Sequence, residues 1–238
     1  MHVADVPYEA DGRTMIGHLV FDDAQAGRRP AVLVSHEGPG LDQHCKDVAG
    51  KLASLGYAAF ALDYIGGGAP LPMEQAGKIL GALSADPRRL GEVARAGLDV
   101  LLAQDVVDQA RVAAIGYCYG GVVSLELART GADIKAVVGF HPGYLAPRPA
   151  DSARIRCRVL MFSGTEDPFA TAEQRQGFET EMREAGVADW RLELYGGIGH
   201  SFTNPDVDQY AIPGCAYNAL ADSRSWQSML QLFGEVLT

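Results

Sequence analysis

The chain has 238 residues and a formal net charge of −10, with acidic residues scattered along its length. That is enough chain for one sizeable core, and a charge balance that excludes a phosphate-backbone binder built on clustered Lys and Arg. The N-terminal stretch MHVADVPYEADGRTM has neither a basic leader nor an apolar core, and no apolar run has membrane-spanning length, so the expectation is a cytoplasmic protein without a membrane anchor. The four cysteines, Cys45, Cys118, Cys157 and Cys215, are far apart, and no CxxC or HExxH pattern occurs. Reduced thiols and no metal or other cofactor are expected.

In chain order, residues 3–9 and 13–21 predict a hairpin, and PAVLVSH at 30–36 a short buried strand. Residues 42–55 have helical periodicity and stop at Gly56, as a C-terminal glycine dictates. YAAFALDY at 57–64 predicts a strand followed by a glycine-rich loop, and a helical stretch broken at Asp86-Pro87 runs to about Gln104. RVAAIGYC at 111–118 is a strand pattern and 120–130 a helix; KAVVGFHP at 135–142 and RVLMFSG at 158–164 are further strands. A helix over 171–185, a strand over 190–196 and a helix over 219–236 complete the chain. Continuous apolar strands alternating with helices predict an α/β fold, a mostly parallel sheet with helices on both faces. No linker divides the chain, so residues 1–238 are expected to form one domain.

In such a sheet, reactive groups collect beyond the carboxyl ends of strands. Cys118 lies at one such end, in GYCYGG, where Gly116 and Gly120 suit a tight strand-to-helix turn. A helix N-terminus favours negative charge on sulfur. Asp167 follows RVLMFSG and His200 follows WRLELYG, both in glycine-bearing loops and in the order nucleophile, acid, histidine. His141, the other histidine after Cys118, precedes Asp167 and breaks that order. Singly, each residue has a plain structural reading: a small buried thiol, a turn aspartate before proline, a polar loop histidine. Together at three strand ends they point to nucleophilic catalysis.

The stretches HEGPGL (36–41), LGYAAFALDYIGGG (55–68), GYCYGG (116–121), GFHPG (139–143), SGTEDPF (163–169), GHSFTNP (199–205) and YNALADSRSW (217–226) resemble the dienelactone hydrolase family of α/β-hydrolases, over nearly the whole chain. The resemblance implies an ester or lactone hydrolase with Cys118 as nucleophile, His200 as base and Asp167 orienting the imidazole. It also implies Glu37 near the thiol, an oxyanion hole from the N–H groups of Tyr119 and Gly38, and Phe169 and Ser201 lining the pocket. A small-molecule ester or lactone is the implied partner, met by a monomer or homodimer with no cofactor. Sulfur suits activated esters, because a thiolate needs little help from its base. One departure stands out: where characterised dienelactone hydrolases carry a carboxylate-binding arginine shortly after the histidine, this chain has Asn204, and Arg88 and Arg89 lie in the helical stretch. A second reading, a non-catalytic or redox-sensing module using Cys118 on the same fold, gives no reason for all three of Cys118, Asp167 and His200.

Overall fold

A computed structural model describes residues 1–238. Its strands are β1 (His2–Ala10), β2 (Arg13–Phe21), β3 (Arg29–Ser35), β4 (Ala58–Leu62), β5 (Val107–Tyr117), β6 (Ala136–Phe140), β7 (Arg158–Gly164) and β8 (Trp190–Tyr195). They form one sheet in the order β1-β2-β4-β3-β5-β6-β7-β8. The hairpin β1–β2 joins antiparallel to β4, and every pairing from β4 to β8 is parallel. This is the mostly parallel, helix-covered sheet that the alternating pattern predicts, and the α/β-hydrolase architecture that the resemblance implies.

Side chains alternate across each strand, and the inner strands are apolar on both faces because helices cover both. On one face, Val32, Val34, Ala59, Ala61, Ile115 and Val138 pack with α1 (Gln43–Ser54) and α7 (Ala219–Val236). On the other, Leu33, Phe60, Leu62, Ala114, Val137 and Met161 pack with α3 (Pro87–Leu102), α4 (Tyr119–Arg129) and α6 (Ala172–Glu184). The helix ends follow local chemistry. Asp42 caps α1 by accepting from the Cys45 N–H, and Thr171 with Gln174 forms a capping box on α6.

The expected long helical stretch divides at Asp86 into α2 (Met73–Ala85) and α3. Asp86 leaves helical geometry (φ −132°, ψ 79°) and its carboxylate accepts from the Arg89 N–H to start the second helix, with Pro87 in its first turn. Strand β5 begins four residues before the apolar pattern, at Val107, with a register irregularity opposite Arg29–Ala31. A short α5 (Pro149–Ser152) and a 3₁₀ turn at Val207–Tyr210 were not signalled by periodicity, since neither is long enough to show one. No helix is long and apolar enough to cross a membrane.

Candidate active site

The sheet brings the candidate residues together through register. Ser35 on β3 is level with Gly116 on β5, so Glu37 and Cys118 each lie two residues beyond that level on neighbouring strand ends. Tyr117 is level with Phe140 on β6, which sets His141 beside Cys118.

Cys118 occupies a sharp elbow with φ +53° and ψ −119°, a strained conformation for an L-residue. Two glycines make the elbow possible. A Cβ on Gly116 would lie 1.9 Å from the Gly120 carbonyl oxygen, and one on Gly120 would lie 2.2 Å from the Ser35 carbonyl oxygen. No side chain fits at either position. The Cys118 N–H donates to the Phe140 carbonyl (3.0 Å) and to Nδ1 of His141 (3.2 Å). Its thiol is half-buried at the start of α4.

His200 and Asp167 form a buried pair, Nδ1 to Oδ2 at 2.7 Å. The other Asp167 oxygen accepts from the Phe169 N–H at 2.8 Å, which fixes the carboxylate. Gly164 allows the two loops to meet, since a Cβ there would lie 2.0 Å from the Ile198 carbonyl oxygen. The His200 backbone is pinned by its N–H to the Gly214 carbonyl (2.8 Å) and by a parallel bridge to Cys215. Burial opposes charge on this imidazole, but the neighbouring Cys118 sulfur and the Asp167 carboxylate outweigh it and raise its pKa well above the ordinary histidine value. Phe169, half exposed, sets its ring edge-on to His200 at 4.9 Å between centroids. Ser201 is buried, with φ +53°, in the turn after His200.

The two N–H groups assigned to an oxyanion hole are both unspent. Tyr119 is the first residue of α4, where no intrahelical acceptor exists, and neither it nor Gly38 donates to any loop or side-chain acceptor. The Tyr119 hydroxyl meets Ser84 Oγ at 2.9 Å and the Leu80 carbonyl at 3.2 Å, tying α2 to the elbow.

Glu37 is buried. Its Oε2 accepts from Asn204 Nδ2 at 3.1 Å, while Oε1 has no partner. Burial pushes its carboxyl above the usual range, with His44 the strongest opposing influence. The carbonyl of Glu37 accepts from the Tyr64 hydroxyl (3.1 Å) and from His36 Nδ1, and the rings of Tyr64 and His36 stack 3.8 Å apart.

Sequence reasoning missed two supporting groups. His141, set aside because it breaks the triad order, lies fully buried behind the elbow with φ +41°. Burial, reinforced by His200 and His44, holds its pKa well below the ordinary value. As a neutral ring it accepts from Cys118 N–H and donates from Nε2 to Thr203 Oγ1 at 2.8 Å. The positive φ in GFHPG is invisible in sequence. The second is Asp63, whose carboxylate gathers the N–H groups of Ile16, Ile65, Gly66 and Gly68 at 2.8–3.1 Å; the signal was the glycine run behind it. No group of three or more His, Cys, Asp or Glu side chains is arranged to hold a metal ion. Two surface cavities, of about 310 and 500 Å³, contain none of the candidate residues.

Comparison with known proteins follows the same line. The family model described as the dienelactone hydrolase family matches residues 16–237. A solved structure named m3DLH superposes with a TM-score of 0.95 at 41% identity, covering 100% of this chain and 99% of its own. A dienelactone hydrolase-like promiscuous phosphotriesterase from metagenomic libraries also reaches 0.95, at 38% identity and the same coverage. A Bradyrhizobium sp. protein described as "Probable 2-oxo-3-(5-oxofuran-2-ylidene)propanoate lactonase" is 29% identical over 215 residues, 86% of this chain and 83% of that one.

Proposed function

This chain belongs to the dienelactone hydrolase family and is an ester or lactone hydrolase, and from that premise we propose that it works through Cys118, His200 and Asp167. The sulfur of Cys118 attacks the substrate carbonyl carbon, and the carbonyl oxygen takes up the electron pair. The unspent N–H groups of Tyr119 and Gly38 receive that oxyanion. As the tetrahedral centre collapses, the bond to the leaving oxygen breaks, and the imidazolium of His200 protonates that oxygen. An acyl-thioester on Cys118 remains.

Water then attacks the thioester with His200 taking its proton, and the second collapse expels the thiolate and frees the acid. Asp167 holds the imidazole with Nε2 toward the thiol and stabilises its charge in both halves. Glu37 is a neighbouring acid rather than a triad member, and Phe169 and Ser201 border the pocket. The observation that carries this reading is the buried 2.7 Å His200–Asp167 pair, with the imidazole beside the Cys118 sulfur.

The test is Cys118→Ala assayed on a p-nitrophenyl ester, with thermal unfolding measured alongside. Loss of turnover in a protein that unfolds like the wild type is expected. Undiminished turnover would remove Cys118 as nucleophile. Similarity to the metagenomic phosphotriesterase over the whole chain supports a second substrate for the same groups, an uncharged phosphotriester attacked at phosphorus. Turnover of a p-nitrophenyl dialkyl phosphate that is lost in the same variant checks it.

A further inference from the structure

Charge is distributed around the elbow in a way that bears on the substrate. Glu37 is buried with one neutral amide donor and one bare oxygen. The charged groups acting most strongly on it are His44, Asp42 and His200; no lysine or arginine is among them. None acts prominently on His200 either. Lys78 of α2 and Arg88 and Arg89 of α3 are engaged elsewhere. Arg88 pairs with Asp151 at 3.2 Å, Arg89 with Asp11, and Lys78 with Glu74 at 2.7 Å. Arg175, which approaches the loop behind Asp167, is buried and donates to the Gly164 and Ala170 carbonyls.

The rim presents apolar side chains on both flanks, with Arg13 and Lys78 set beyond Leu71 in the neighbouring cavity. On one flank Phe169 stands half exposed against His200, and exposed Ile212 lies in the turn leading to Gly214, which abuts Pro168. On the other flank Leu71 donates its N–H to the Pro39 carbonyl beside Gly38 (2.8 Å), Met73 follows with two-thirds of its surface exposed, and Leu80 touches Gly38.

We propose that this site takes uncharged esters with apolar acyl and leaving groups, and discriminates against esters carrying a carboxylate. The inference rests on the reading of Cys118 as nucleophile. A carboxylate entering the site loses hydration and meets no guanidinium or ammonium group in return. The one cation at the centre, the His200 imidazolium, is already paired with Asp167 at 2.7 Å, and the carboxyl of Glu37 lies beyond the neighbouring strand end. An uncharged chain, by contrast, covers the exposed rim and is favoured by the apolar surface it removes from water.

The experiment compares two esters that differ by one methyl and whose far carboxyl is too distant to attack the ester itself: methyl p-nitrophenyl adipate and its free acid, p-nitrophenyl hydrogen adipate. Each kcat/KM is divided by that ester's own uncatalysed rate at neutral pH. The expected ratio favours the uncharged ester by about 100-fold, the scale of an unpaired charge. A ratio near one, or a preference for the acid, overturns the inference. Asn204→Arg and, at the rim, Leu71→Arg supply the missing cation, and each is checked for folding by thermal unfolding. Narrowing of the ratio by about tenfold in either folded variant supports the charge argument; an unchanged ratio in both overturns it. If neither ester is hydrolysed by folded wild type, the nucleophile reading itself fails and the inference with it, an outcome distinct from a ratio near one.

Discussion

Asp63 and Glu37 are two buried carboxyls just past the ends of the adjacent strands β4 and β3, and their surroundings drive them in opposite directions. Burial opposes the charge of each. For Asp63, the nearby His36 ring and the N–H groups of Gly68 and Gly66 outweigh it and hold the carboxyl at about 2. Glu37 receives one amide bond, and burial prevails. Desolvation alone therefore does not set the outcome; the number of donors aimed at the oxygens does. Asp63 fixes backbone: its four N–H partners hold the 63–68 loop against β2, and Tyr64 in that loop bonds the carbonyls of His36 and Glu37. Glu37 keeps an unmatched oxygen in the site. One acid builds the frame, and the other is left poised within it.

Removing Asp63 is the largest blow this contrast allows. Asp63→Ala strands four N–H groups, and is expected to destabilise the protein by about 3–5 kcal/mol. Chemical denaturation measures this; a loss under about 1 kcal/mol would mean that water replaces the carboxylate without penalty. The acid limb of stability is a smaller version of the same test. Asp63 has a folded pKa below its unfolded one, so its stabilisation is present above the unfolded value and is lost as pH falls through the folded one. The expected loss is about 2 kcal/mol between roughly pH 4 and pH 2. Asp63→Asn should lack that step, and overlaying acid titrations of the two proteins would refute the assignment.

How far the sequence discloses this arrangement depends on the range of the forces involved. Strands β3 to β7 are legible because burial on both faces makes them continuous apolar runs, and the α1 and α6 boundaries because Asp42 and Thr171 cap locally. The elbow is legible from Gly116 and Gly120, whose spacing is a steric requirement. Cys118, Asp167 and His200 stand out through their order at strand ends. What stays hidden is non-local or a matter of torsion. Ile16 bonds Asp63 across 47 residues, His141 reaches Cys118 only through a left-handed φ, and Arg88 and Arg89 look available until tertiary structure pairs them with Asp151 and Asp11. The start of β5 at Val107 was missed because Asp108, Gln109 and Arg111 interrupt its apolar run.

Glu37→Gln completes the contrast with the smallest effect on folding. An acid whose folded pKa is raised adds most to stability below its unfolded pKa, and that contribution is lost as pH rises through the folded value. The wild type thus carries a penalty at neutral pH that the uncharged amide lacks. The Gln oxygen can still accept from Asn204, and its NH₂ takes the place of an oxygen that had no donor. Stability at pH 7 is therefore expected to equal the wild type or exceed it by about 1 kcal/mol, against the large loss at Asp63. The same substitution removes a carboxyl from the neighbourhood of Cys118, so iodoacetamide should alkylate that thiol several-fold faster near neutral pH, since like charge beside a thiolate disfavours it. Denaturation and alkylation kinetics on one preparation check both. A variant as unstable as Asp63→Ala would make Glu37 part of the frame, and an unchanged alkylation profile would place its charge out of reach of the sulfur.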